Sequence, residues 1–164
     1  MSKPSKGQGL LAGRIASLHV HPPERGAALA EVQVLQLVAE KGIAEDTRYF
    51  NRRSRRQVTL IEREQIAAHG EALGVPGFAP GAVRSNIETI GIRLGDLIGQ
   101  RVQVGDAVLD FYAPRTPCHQ MDELCAGLRE LMEDGRQGVL AQVVQSGTVR
   151  VGDAIQLANL APAR

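Results

Sequence analysis

Short apolar runs alternate along the chain with breaks marked by glycine and proline. Gly13–Val20 (GRIASLHV) and Ala30–Val38 (AEVQVLQLV) are rich in Val, Ile and Leu. Pro22-Pro23, Gly26 and Gly42 bound them, which predicts two strands. In the second, Val32 and Val34 alternate with Gln33, Leu35 and Leu37, so the period of two is present but impure. Gln57–Ile61 (QVTLI) is a third β-branched run. Glu62–Leu73 places Ile66, Ala67 and Leu73 near helical spacing ahead of Gly74-Val75-Pro76, which predicts a short amphipathic helix.

Beyond a loop with Pro76, Gly77, Pro80 and Gly81, Ser85–Ile92 again has β character. Arg101–Tyr112 reads as two strands joined at Gly105-Asp106. The local pattern V-x-V-G-D-A occurs there, at Val102–Ala107, and again at Val149–Ala154 within Thr148–Leu157. Glycine tolerates positive φ and aspartate bonds its own backbone, so the same hairpin is predicted twice. A second helix is predicted over Cys118–Asp134, with Leu124, Leu128, Leu131 and Met132 as its apolar stripe and Gly135 as its stop. Short strands, two modest helices and no βαβα alternation define a mainly β (α+β) class. The expected architecture is a closed β-barrel carrying a few short peripheral helices.

A length of 164 residues suits one domain, expected over residues 10–160 after a flexible lead-in at Met1–Gly9. The lead-in lacks the apolar core of a signal peptide, and no run of about 18 apolar residues exists to cross a membrane. A cytoplasmic protein with no membrane partner is expected. The formal net charge is +1, aromatic residues make up 3% and tryptophan is absent, which argues against a nucleic-acid partner. Anion recognition would have to be local and come from clustered arginines.

Two features offer chemistry. Ala113-Pro114-Arg115-Thr116-Pro117-Cys118-His119 joins a predicted strand to the second helix, putting Cys118 at or just before the first helical turn. There the helix dipole and Arg115 would favour a thiolate, and His119 could carry a proton. A buried, inert cysteine remains the alternative, and Cys125, in mid-helix, reads as packing. Arg48, Arg52, Arg53, Arg55 and Arg56 crowd TRYFNRRSRRQ. That loop reads as a solvated basic loop, an oxyanion grip or a short nucleic-acid patch. Arg84 and Asn86 would share a strand face if Ser85 is extended. His19 and His21 alternate on one face, yet no third metal ligand stands near them, so they read as surface or satisfied histidines. No phosphate-binding glycine loop, H-E-x-x-H or G-x-S-x-G motif occurs.

Taken in order, GIAEDTRY (Gly42–Tyr49), RRQVTLIE (Arg55–Glu62), PGAVRSNIET-G (Pro80–Gly91), RTPC (Arg115–Cys118) and GVLAQVVQSGTVRVGD (Gly138–Asp153) resemble the MOSC family, the C-terminal domain of molybdenum-cofactor sulfurases. The likeness is to the small stand-alone bacterial type. It implies a β-barrel-based fold holding a molybdopterin cofactor, with Cys118 ligating molybdenum or carrying sulfur. Family members reduce N-hydroxylated small molecules with electrons from a redox partner. The resemblance places Arg84, Asn86 and Thr116 around the pterin, with Asp46 and Arg48 from the early motif. Arg55, Arg56, Arg115 and His119 complete the expected cofactor contacts. Persulfide transfer and non-catalytic cofactor carriage are the other activities it implies. Glu45 stands where many relatives have glycine, and Thr47 separates Asp46 from Arg48, which would bring negative charge near the expected anion site.

Overall fold

The computed structural model describes residues 12–158. The expected lead-in, and residues 10, 11, 159 and 160 of the expected domain, lie outside that range. The strands are β1 (Ala12–Val20), β2 (Ala30–Val32), β3 (Val34–Val38), β4 (Gly42–Ile43), β5 (Val58–Glu62), β6 (Ile87–Ile90), β7 (Arg101–Val104), β8 (Ala107–Pro114), β9 (Val139–Gln145), β10 (Gly147–Arg150) and β11 (Ala154–Leu157). The helices are α1 (Arg63–Leu73), α2 (Gln120–Leu124) and α3 (Leu128–Leu131), with a 3-10 turn at Leu94–Leu97.

The expected barrel is present. Strands run in the order β11-β7-β8-β9-β5-β6-β1, and β11 pairs back onto β1, closing seven strands. Closure leaves no open edge around the wall. β2 extends from β1, while β10, β3 and β4 form a separate three-stranded sheet. Ile15, Leu18, Val58, Leu60, Val102, Val104, Leu109, Phe111, Val139 and Val143 belong to the main core. Ile61, on the opposite face of β5, joins Ile66, Val83, Met121, Leu128 and Met132 in a second core beneath the helices. β5 is therefore buried on both faces, which explains why Leu60 and Ile61 are apolar at successive positions.

Three expectations are corrected. Ala30–Val38 breaks at Gln33, so β2 serves the barrel and β3 the small sheet. The first G-D turn closes a hairpin, with Val104 opposite Ala107. The second does not. β10 pairs with β3 and β11 with β1 and β7, so Val151–Asp153 carries the chain from one sheet to the other. The two copies meet instead, as Gly105 N donates to Ala154 O at 3.1 Å. Thirdly, Cys118–Asp134 is not one helix. Cys125 is extended (φ −159°, ψ 124°) and Gly127 is left-handed (φ 91°), which splits it into segments of five and four residues. Met121, Leu128 and Met132 are buried, while Leu124 lies on the surface.

Register fixes where the loops emerge. Pro114 lies opposite Val139, Val139 opposite Leu60, Leu60 opposite Ile87, and Ile87 opposite Leu18, forming one row across five strands. Connections after β1 and before β5 and β6 leave the wall on one side of that row, and the connection after β8 leaves on the other.

Candidate functional site

Arg115 follows directly on β8, and its backbone N–H donates to Gly138 O at 3.0 Å. Its side chain is 8% exposed and turns inward, where Nη1 donates to Arg84 O (3.1 Å) and Ser85 Oγ (3.0 Å). No carboxylate pairs with it among the described residues. Burial is the main influence on its pKa and lowers it to about 10. The like charges of Arg56 and Arg84 act in the same direction, and Cys118 and Tyr49 oppose them. The guanidinium stays charged at neutral pH. It is a desolvated cation without a carboxylate partner among the described residues.

Arg56 belongs to a cleft of about 400 Å³ lined by Arg25, Arg48, Tyr49, Arg52, Ser54 and Arg56. Thr47 and Pro23 extend it as a shallower groove. No carboxylate lines either, and one nitrogen of Arg48, Nη2, is buried without a partner. The loop that supplies these arginines is anchored by Gln57. Its Nε2 donates to Ser54 O and Glu40 O, and its Oε1 accepts from Val143 N. A larger cleft of about 510 Å³ lies beside α1, but its Arg63 and Glu88 neutralise each other at 3.1 Å. Uncompensated positive charge therefore singles out the arginine cleft, since the other also carries Glu71.

A narrow recess continues from that cleft, lined by His21, Tyr49, Arg56, Gln57, Thr59 and Asn86. Asn86 uses every hydrogen-bonding position of its amide. Nδ2 donates to His19 O (3.1 Å) and Asp46 Oδ2 (2.9 Å), and Oδ1 accepts from Thr59 N (3.1 Å) and Thr59 Oγ1 (3.0 Å). Asp46 Oδ2 also accepts from His21 Nδ1 at 2.8 Å and His21 N at 3.3 Å. Burial acts to raise the Asp46 carboxyl, but bonding to His21, its charge and the Asn86 amide hold it below its ordinary value.

The structure draws some of the expected residues together and separates others. Arg48 and Arg56 line the cleft, and Arg84 and Arg115 are hydrogen-bonded to one another. Arg84 is left-handed (φ 65°) and precedes the strand, so it shares no extended face with Asn86, and its Nη1 donates to Ala27 O. Arg55 turns away, packing 4.2 Å over the Tyr112 ring and 3.9 Å from Asp110. Thr116, Cys118 and His119 are exposed. The five-residue α2 begins at Gln120, too short to supply the expected dipole at Cys118. Glu45 brings no charge to the cleft, since its carboxylate accepts from Gln36 N on the small sheet. Arg25, Tyr49 and His21 are additions that loop spacing alone does not reveal. Arg25, in Glu24-Arg25-Gly26 after Pro22-Pro23, gives no signal without the fold, because it reaches the cleft from a distant part of the chain.

Replacing Arg115 with methionine tests the meaning of its burial. Removing the desolvated charge offsets the two lost hydrogen bonds, so stability should stay within about 1 kcal/mol of wild type. Sulfate affinity, measured by calorimetry, should fall about tenfold or more. A loss of stability with affinity unchanged would make Arg115 purely structural.

Comparison with known proteins bears on this arrangement. The family model of the MOSC domain matches residues 38–156. Among solved structures, the YUAD protein from Bacillus subtilis superposes with a TM-score of 0.74 at 19% identity, covering 88% of this chain and 94% of that one. YiiM from Geobacillus stearothermophilus gives 0.69 at 19% identity, covering 90% and 75%. YiiM from Escherichia coli gives 0.67 at 20% identity, covering 92% and 72%. At these identities the likeness is one of fold. No curated protein matches the chain.

Proposed function

The chain belongs to the MOSC domain family, and from that premise we propose that it binds the molybdenum cofactor, with Cys118 as the protein's ligand to the metal, and reduces N-hydroxylated small molecules. The observation that carries this reading is Arg115. It is a buried guanidinium without a carboxylate, and its charge is influenced both by exposed Cys118 and by Arg56 of the cleft. An anionic cofactor with a phosphate tail would meet both needs, as guanidinium groups bind phosphate and an exposed thiol is open to a metal. The orphaned Nη2 of Arg48 fits the same group.

Among the described residues no cluster of three or more His, Cys, Asp or Glu could hold a metal ion by itself. A metal carried in an organic cofactor requires only one protein ligand, consistent with Cys118. When bound, the cofactor would supply the redox chemistry that side chains lack. In this reading Arg48, Arg52, Arg56 and Arg25 hold the phosphate. Arg115, whose charge is coupled to those of Arg56 and Cys118, would act between that anchor and the thiol, with Arg84 beside it. Reduction of an N–OH group to N–H and water consumes two electrons and two protons, so an electron-donating partner is part of the proposal. Of the described helices, none is long and apolar enough to cross a membrane.

The test is molybdenum content in protein made with an intact cofactor pathway. Wild type should retain the metal, and Cys118→Ala should lose it. Equal content in the two proteins would remove Cys118 as the ligand. An added sulfur on Cys118 in the mass spectrum, with no molybdenum in wild type, would replace this reading by persulfide transfer.

A further inference from the structure

We propose that Asp46 and His21 form a proton-exchanging dyad at the foot of the arginine cleft, and that a dianion seated in the cleft draws a proton onto His21 Nε2.

The geometry supplies each part. Asp46 Oδ2 accepts from His21 Nδ1 at 2.8 Å, from the His21 backbone N–H and from Asn86 Nδ2. Since a carboxylate only accepts, Nδ1 must carry the hydrogen. Nε2 is then the edge left for exchange, and among the described residues no group bonds it. His21 lines the recess, whose walls share Tyr49 and Arg56 with the cleft. The Tyr49 ring packs edge-on against the imidazole, with centroids 4.8 Å apart, and holds its plane. Asp46 is 2% exposed and its other oxygen, Oδ1, has no partner, so its charge is directed at the imidazole with little screening by water.

The charged and titratable groups bordering the recess and cleft set the balance. Asp46 and Tyr49 come from the β4–β5 connection, as do Arg48, Arg52 and Arg56. Arg25 lies beyond β1, Arg84 before β6 and Arg115 after β8. The four guanidinium groups that line the cleft oppose a further cation, while Asp46, bonded to His21, favours one. A tetrahedral dianion such as a phosphate monoester reverses the balance. A proton moves from hydronium or a buffer acid to Nε2, an N–H bond forming as the donor's bond to that proton breaks, and Nε2 converts from acceptor to donor. A ligand is thereby selected by charge, because a neutral one gains no such donor. By linkage, an anion whose binding takes up a proton binds more tightly as pH falls.

This inference shares with the proposed function the arginine cleft as an anion site, but does not depend on Cys118. Sulfate, which does not titrate in this range, is the probe, applied to the full chain made without the cofactor pathway. Calorimetry in buffers of differing ionisation heat should show proton uptake on binding, and affinity about tenfold higher at pH 6 than at pH 8. His21→Gln should still bind sulfate, with proton uptake lost and the pH dependence flattened. Nitrogen NMR of wild type should show the Nδ1–H form of His21 at pH 8, shifting toward imidazolium when sulfate is added. Binding without proton uptake, uptake that persists in His21→Gln, or no binding at all would overturn the proposal. Cys118→Ala should leave the coupling intact while losing molybdenum, so the two readings fail separately.

Discussion

Replacing Asn86 with leucine is expected to lower the unfolding free energy by about 4 kcal/mol, read from denaturant curves at neutral pH. The leucine has a similar volume, so the cost does not come from a cavity. It comes from four buried hydrogen bonds lost at once: Thr59 N and His19 O lose the amide, Thr59 Oγ1 keeps only the backbone N–H of residue 86, and Asp46 Oδ2 keeps only His21. Each orphaned group costs about 1–3 kcal/mol, partly recovered by relaxation. Asn86→Asp separates polarity from charge. Its carboxylate would stand where an amide nitrogen now lies 2.9 Å from Asp46 Oδ2. Two carboxylates at that distance share a proton, and the pair's folded pKa rises. Stability from a raised carboxyl pKa is present below the unfolded value and lost as pH rises through the folded one. The Asp variant should therefore fall furthest behind wild type at neutral pH and close the gap below about pH 5. A gap independent of pH would show that the amide's role is steric.

That network also marks the boundary of what sequence can disclose here. Period and turn chemistry located β1, α1 and the β7–β8 hairpin, because those signals are local. The second G-D pair misled for the same reason. Its turn residues are right, but β10 finds its partner in β3, more than a hundred residues away in the chain, and the local pattern contains nothing of that. β9 carries Val139, Ala141 and Val143 inward, but Leu140 and Val144 on the other face dilute its alternation. Only the resemblance to the MOSC family brought that run into view. The predicted long helix ran through Gly127 because its leucines kept helical spacing, and a single left-handed glycine outweighed them.

At the site, charge was legible and direction was not. Five arginines in TRYFNRRSRRQ mark a strongly basic loop, yet which of them face the cleft depends on turns at Asn51 (φ 58°) and Arg53 (φ 55°). Those turns send Arg55 to Tyr112 while Arg56 reaches the cleft. Arg84 and Asn86 looked equivalent two residues apart, and the fold gives one to a loop and the other to the core. His21 was legible as a surface or satisfied histidine with no third metal ligand near it. Its partner, Asp46, becomes visible only once β1 closes against the β4–β5 connection.

Gly138→Ala is expected to cost about 4 kcal/mol or more, because the close approach it permits is made against backbone. A Cβ there would drive into the Leu60 carbonyl oxygen and stand 2.9 Å from Ile61 Cα. Neither can rotate aside, since β5 is paired on both sides and buried on both faces. Gly135 supplies the control within the same segment. It has the same φ of +80°, but nothing lies within 4 Å of its missing Cβ. Gly135→Ala should therefore pay only the left-handed backbone strain, about 1 kcal/mol. The difference between the two variants isolates the steric term from the conformational one. It also reaches the site, because Gly138 O accepts the Arg115 N–H that holds this guanidinium in place. Displacing that carbonyl should weaken sulfate binding in whatever fraction of Gly138→Ala remains folded, while Gly135→Ala binds as wild type does. Equal losses of stability in the two variants would mean that the wall of β5 yields, and that Arg115 is not held by the strand packing described above.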